Sequence, residues 1–268
     1  MQGIGNDFVI VDCRLRPFTL DTAQIAHLGD RHFGIGFDQL LTIEPARDST
    51  CIFSYKIYNT NGSPAAQCGN GVRCVAAWLR RAGALDTGVA HLESPSGPVS
   101  VELLADGRVR VDMGVPHFAP PEIPLRMPAS DIYWLQIDTI DVQFGAVSMG
   151  NPHAVIEVAD VAEAPLATLG HALSTNSAFP QGCNVGFAQL VGRARLRLRV
   201  WERGAGATLA CGSGACAAVA VLRQRGKLDP EVAVQLPGGT LNIRWDGADA
   251  PVWMSGPAEF VFEGEIQA

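Results

Sequence analysis

The chain repeats itself, and the repeat constrains its fold more than any local propensity does. When Cys68 is laid on Cys211, an offset of 143, Gly69 meets Gly212 and Gly71 meets Gly214. Further along, Ala77 meets Ala220 and Leu79-Arg80 meets Leu222-Arg223. Gly83 then meets Gly226, and Leu85-Asp86 meets Leu228-Asp229, all without a gap. After two residues of slippage SPSGPVSVEL, from Ser94, faces QLPGGTLNIR, from Gln235. Upstream, GNDFVIV from Gly5 parallels GNPHAVI from Gly150, and GFDQLL from Gly36 parallels GFAQLV from Gly186. Landmarks that recur in the same order mark a duplicated supersecondary unit. The expected architecture is therefore two similar α+β domains, the first over 1–114 and the second over 115–254. The tail from Met254, MSGPAEFVFEGEI, reads as a strand returning to the first domain, which adds 255–268 to it.

Strand signals dominate: DFVIVD, QLLTIE, FSYKIY, VSVELL, RVRVDM, HAVIEV, GFAQLV, LRLRVW and LNIRW. Helices are predicted over Asp21–Leu28, Val72–Ala82 and Ala215–Arg225. The last two stop at Gly83 and Gly226, as glycine C-terminal caps would. The alternation in RARLRLR, Arg193–Arg199, reads as the solvent face of a strand. With 20 basic against 27 acidic residues the net charge is −7, a poor match for a phosphate backbone, so nucleic acid is not an expected partner. No apolar run approaches the length of a membrane span, and the N-terminus lacks the pattern of a secretory signal. Seven cysteines, an odd number, suit reduced thiols in the cytosol better than a disulfide framework.

Each Cys-Gly-Xaa-Gly runs into a helix. Glycines leave the helix start open, and its N–H groups, with their partial positive charge, suit a carboxylate and should ease ionisation of the cysteine. Duplicated domains commonly hold small ligands in the cleft between them. Cys68 and Cys211 would then flank one bound carbon, where a thiolate takes a proton from one face and a thiol returns one to the other. No dinucleotide fingerprint and no pyridoxal-phosphate signature is present, and the Cys68/Cys74 and Cys211/Cys216 spacings are not those of a zinc knuckle or a dithiol pair. Cys74 and Cys216 read as packing residues, and Cys13, Cys51 and Cys183 as structural ones.

The segments GIGNDF, GFDQLL, NTNGSPAAQCGNGVRC, GNPH, CNVGF and ERGAGATLACGSGACAAVAV together resemble the diaminopimelate epimerase family, over nearly the whole chain. The resemblance implies two pseudo-symmetric domains, each a strand barrel around a central helix, with the active site in the interdomain cleft. It implies cofactor- and metal-free interconversion of LL- and meso-diaminopimelate, in lysine and peptidoglycan-precursor synthesis, by a homodimer. Cys68 and Cys211 match the acid/base pair. Gly69-Asn70 and Gly212-Ser213 match the N–H groups that hold the reacting carboxylate. Asn6 and Gln39 match binding positions. Asn59, Asn151, Asn184 and Arg203 match groups that bind substrate, largely at its distal end. His153 and Glu202 match residues that adjust cysteine protonation, Glu202 also binding substrate.

Read as residues alone, His153 also suits packing, Arg203 a surface ion pair, and the asparagines turns. A proline or hydroxyproline isomerase of the same two-cysteine type is the alternative. A thiol redox switch, a metal-binding protein and a non-catalytic binding protein complete the field. The chain departs from the family at its start, where a few residues usually precede the first glycine motif, and at Asn61, where aspartate is common. Asn and Asp form similar side-chain turns, so a local turn is where that replacement should be felt.

Overall fold

The computed structural model describes residues 1–65, 68–86 and 88–266. The chain divides into two compact units, Met1–Asp112 with the segment from Ser255 onward, and Met113–Met254.

In the first unit β1 (Gln2–Gly3) pairs antiparallel with β2 (Asn6–Asp12). Helix α1 (Thr22–Gly29) follows, then β3 (Gln39–Pro45), β4 (Phe53–Asn59) and β5 (Pro64–Ala65), helix α2 (Gly69–Arg81), and β6 (Gly88–Ser94), β7 (Gly97–Leu103) and β8 (Val109–Asp112). The ladder runs β2 parallel to β3, β3 antiparallel to β4, β4 parallel to β6, and β6 antiparallel to β7. The strands wrap α2, which touches β1, β2, β3, β7 and β8. That explains why the helix is buried nearly all round, from Asn70 through Ala76 and at Leu79. Outside the sheet, Ile25 of α1 packs with Phe37 and Leu40, and Asp21 and Gln24 form a reciprocal N-terminal cap.

The second unit contains β9 (Tyr133–Ile137), β10 (Ile140–Ser148), β11 (Pro152–Glu157), α3 (Leu166–Ser174), β12 (Asn184–Gly192), β13 (Arg195–Glu202), β14 (Gly206–Thr208), α4 (Gly212–Gln224), β15 (Glu231–Leu236) and β16 (Gly239–Arg244). Its ladder is the same: β11 parallel to β12, β12 antiparallel to β13, β13 parallel to β15, and β15 antiparallel to β16. Here α4 takes the place of α2, touching β10–β13 and β16, with Gly214–Leu222 buried without a break. Helix α3 covers the outside, against β9, β12, β13 and β14. Strand β17 (Trp253–Gly256) carries the chain back to the first unit.

The repeat is visible atom by atom. Helices α2 and α4 are each 13 residues long and begin 143 residues apart. Both close with the same paired hydrogen bonds: Gly83 N to Arg80 O and Ala84 N to Leu79 O in one, Gly226 N to Arg223 O and Lys227 N to Leu222 O in the other. Gly83 and Gly226 take φ of 66° and 71°, the left-handed turn that glycine accepts without cost.

Three expectations are corrected. Both central helices begin three residues earlier than expected, so their glycines lie inside the first turn. The tail is not a continuous strand: Pro257 ends β17, and beyond it, among the described residues, the strand pairing is an isolated bridge between Gln2 and Glu259. GFDQLL and GFAQLV are not equivalent, because Gly36-Phe37 precedes β3 whereas Gly186-Phe187 lies within β12. The register instead sets Phe8 beside Gln39 and His153 beside Asn184, which makes Gln39 and Asn184 the matching pair. Among the described residues, no helix is long and apolar enough to cross a membrane.

Candidate active site

In each unit the same structural positions carry the polar residues. They are the start of the first parallel strand, the start of its neighbour, the end of the third strand, and the N-cap of the central helix.

In the first unit these are Asn6 on β2, Gln39 on β3, Asn59 on β4 and Cys68 before α2. Gln39 Nε2 donates to Asn59 Oδ1 at 3.2 Å, and Asn59 Nδ2 donates to Ser63 Oγ at 3.1 Å. Cys68 has extended backbone (φ −151°, ψ 101°), and its sulfur accepts the Gly71 N–H at 3.4 Å. Its Sγ also lies 3.8 Å from Asn6 Oδ1, which accepts from Asn70 Nδ2 at 3.3 Å. Cys68 is half-buried, whereas the other six cysteines are buried. Gln39 Oε1 and Asn70 Oδ1 are buried acceptors that make no hydrogen bond to the described residues, an arrangement that natural proteins keep where a ligand donor completes it. Asn61 Oδ1 accepts from Ser63 N at 3.0 Å and Ser63 Oγ at 2.6 Å, the side-chain turn expected of it.

The second unit carries Asn151 and His153 at β11, Asn184 on β12, Glu202 and Arg203 at the end of β13, and Cys211 before α4. His153 is 1% exposed. Burial, then the neighbouring Arg203 charge, lowers its pKa to about 3, so it stays neutral. Its Nε2 donates to Asn151 Oδ1 at 2.9 Å, with Asn184 Nδ2 at 3.5 Å. Asn184 Oδ1 accepts the Arg203 N–H at 2.9 Å, and Arg203 Nη1 donates to Gln181 O at 2.7 Å.

The helix start was expected to ease cysteine ionisation, but Cys211 shows the reverse. Burial first, then the Glu202 charge, pushes its thiol well above the ordinary value, against the weaker pull of Gly214 N–H and Ser213. The sulfur faces Gly214 N–H without completing a cap bond, and it lies 3.8 Å from Ser213 Oγ. Glu202 accepts from the Cys211 thiol and from Thr208 Oγ1 at 2.5 Å. The groups that shift Cys211 thus include Glu202, Ser213 and Gly214, while His153 Nε2 donates to Asn151.

The glycines have a steric reason to be there. A Cβ on Gly214 would stand 3.1 Å from Cys211 Sγ, and one on Gly71 would stand 3.1 Å from Leu41 Cδ1. Sequence reasoning missed Asp7, Arg31 and Asp38, which brace Asn6, and Thr208, which braces Glu202. The acids sit inside the GND and FDQ motifs but gave no signal of their own. Among the described residues no group of three His, Cys, Asp or Glu side chains is arranged to hold a metal ion.

Comparison with known proteins fits this geometry. Solved structures share the fold at low identity. A hydroxyproline epimerase from Agrobacterium vitis, with bound trans-4-hydroxy-L-proline, has a TM-score of 0.70 at 15% identity, covering 98% of this chain and 89% of that one. A PhzF-family phenazine biosynthesis protein from Bacillus anthracis has a TM-score of 0.65 at 13% identity, covering 100% and 95%. Sequence relatives are nearer. The diaminopimelate epimerase of Xanthomonas campestris pv. campestris is 54% identical over 267 residues, 99% of this chain and 94% of that protein. That of Alkalilimnicola ehrlichii is 52% identical over 270 residues, 100% and 97%. The diaminopimelate epimerase family model matches residues 1–119 and 145–261. With that span matched and its relatives aligned nearly end to end, the chain belongs to the diaminopimelate epimerase family.

Proposed function

We propose that the protein interconverts LL- and meso-2,6-diaminopimelate without a cofactor, using Cys68 and Cys211 as its two acid/base groups. The observation that carries this reading is the pair of cysteines at the N-caps of equivalent central helices, in a chain 54% identical to a diaminopimelate epimerase.

Cys211 enters as the thiol, because Glu202 holds its proton and burial disfavours its anion. Cys68 enters as the thiolate, which the Gly71 N–H can meet. The thiolate takes the α-proton, forming an S–H bond as the Cα–H pair moves into the adjacent carboxylate. Cys211 S–H then delivers its proton to the opposite face of the carbon and is left as thiolate. First-turn N–H groups at Gly69-Asn70 and Gly212-Ser213 bind the reacting carboxylate, where they stabilise the charge that develops. Asn6, Gln39, Asn59, Asn151, Asn184, Glu202 and Arg203 bind the substrate's amines and carboxylates, and the buried Gln39 Oε1 suits an ammonium. His153 holds Asn151 in place through Nε2 and, with Glu202, adjusts cysteine protonation. The same reading includes a two-domain enzyme divided as 1–114 plus 255–268 and 115–254, acting as a homodimer in the cytosol.

The test is turnover of diaminopimelate by purified protein in heavy water. Cys68→Ala and Cys211→Ala should each abolish epimerisation with the circular dichroism spectrum unchanged, and the wild type should place deuterium at the reacting carbon. Normal turnover by Cys68→Ala, or turnover of proline with none of diaminopimelate, would overturn the reading.

A further inference from the structure

The acids beside the first glycine motif form a construction that the proposed chemistry does not use directly. Arg31 Nη1 and Nη2 donate to the two Asp7 oxygens at 2.8 and 2.9 Å, and Arg31 Nη2 also donates to Asp38 Oδ1 at 2.8 Å. Asp38 N donates to Asp7 Oδ1 at 2.7 Å, and Asp7 N donates to Asp38 Oδ2 at 3.2 Å. The start of β2 is thereby locked to the loop that leads into β3. The remaining donor on Asp38 Oδ2 is Asn6 Nδ2, at 2.8 Å.

An ionised carboxylate only accepts hydrogen bonds, so it dictates which way an amide beside it turns. With Nδ2 committed to Asp38, Asn6 must present Oδ1 to the other side. There it meets Cys68 Sγ at 3.8 Å and the Asn70 amide at 3.3 Å. A flipped Asn6 would aim an N–H at the sulfur instead, and would also oppose the Asn70 donor.

We propose that Asp38, clamped by Arg31, is a positioning residue that fixes the amide of Asn6 so that Cys68 meets an oxygen acceptor on one side and the Gly71 N–H donor on the other. Cys68 then has a partner in both protonation states. The thiolate accepts from Gly71, and the thiol donates to Asn6. A reversible two-base reaction needs this, because Cys68 must hold a proton after each forward turnover. This rests on the acid/base role proposed above for Cys68. In the second unit Glu202 supplies the acceptor for Cys211 directly, so a carboxylate works there at first hand and here through an amide.

The test reads the sulfur and not the reaction. In the full chain Cys68 is the half-buried thiol, so the pH midpoint of its alkylation by iodoacetamide can be followed on its own peptide by mass spectrometry. Among the described residues, Tyr55 on β4 and Cys74 on α2 are titratable groups that feel Cys68; both are shifted upward by burial and stay neutral through the window. In Asp38→Asn the charged Arg31 keeps the side-chain oxygen, so the new NH₂ replaces the acceptor of both Asp7 N–H and Asn6 Nδ2; the backbone donor cannot turn, and the Asn6 amide is the group that flips. The midpoint should fall by about one unit, the scale of one exchanged hydrogen bond. Arg31→Gln should move it the same way by less, and in an Asn6→Ala background both shifts should vanish. Folded variants with an unmoved or raised midpoint, or shifts that persist without the Asn6 amide, would overturn the proposal. Diaminopimelate turnover, measured alongside, separates the two readings. An expected midpoint shift in a protein that does not epimerise would sink the function and keep the clamp; normal turnover with no shift would do the opposite.

Discussion

Glu202 accepts from the thiol of Cys211: the carboxylate at the end of β13 meets the cap of α4, and its charge adds to burial in keeping that thiol protonated. Glu202→Gln keeps the shape and removes the charge. Cys211 should then ionise at lower pH, moving the alkaline limb of the kcat/KM profile downward by about one unit. Misplacing the proton should lower kcat by about 10²-fold, the lower end of what a positioned acid contributes. The pH–rate profile of the variant checks both.

The glycines three residues after each cysteine should respond differently. Gly214→Ala presses a methyl to 3.1 Å from both Cys211 Sγ and Val200 Cγ2. It should cost about 1–3 kcal/mol of stability and reduce kcat by at least about 10-fold, since the reacting sulfur itself must move. Gly71→Ala meets Leu41 and Phe8 instead. Its stability loss should be similar, while Cys68 alkylates at the wild-type rate. Urea melts paired with alkylation rates distinguish the two.

Stability should fall in mild acid through His153. Its folded pKa, about 3, lies below the ordinary 6.5. The unfolded chain therefore takes up a proton that the native state refuses. The stabilisation is complete above pH 6.5 and is lost as pH drops from there toward 3. Between pH 7 and pH 5 the loss is about 2 kcal/mol from this residue. His153→Gln should reduce the difference between urea melts at the two pH values by that amount, whatever it does to stability at pH 7.

Asn61→Asp should be close to silent, within about 0.5 kcal/mol and with unchanged kcat. The work is done by Oδ1, which accepts from Ser63 N and Oγ, and aspartate supplies the same oxygen. Thermal melts and steady-state rates suffice to check it.

Much of this was legible in the chain because a duplication writes each constraint twice. The alternation in Arg195–Arg199 shows on β13, where Leu196 and Leu198 are buried between exposed Arg195 and Arg197. The helix starts were misplaced because glycine is a weak helix former in isolation. Close packing of Gly71 on Leu41 and of Gly214 on Val200 overrides that preference. Helix α3 escaped notice because it has Pro165 at its N-cap, no side-chain cap bond, and Gly170 in its middle. That glycine lets Trp201 approach to 2.8 Å of where a Cβ would be. In the site, the cysteines and amides stood out by motif. The Asp7–Arg31–Asp38 clamp did not, since an ion pair between a strand and a loop 24 residues on leaves no periodicity to read.

The return of the chain at Ser255 has a bearing on biogenesis. Residues from both termini share one compact unit, and Gln2 exchanges backbone hydrogen bonds with Glu259. On the ribosome the first-made segment must wait for the last-made one, while the intervening unit is free to close on its own. A released chain truncated after Met254 should hold a protease-resistant second unit and a still-digestible first.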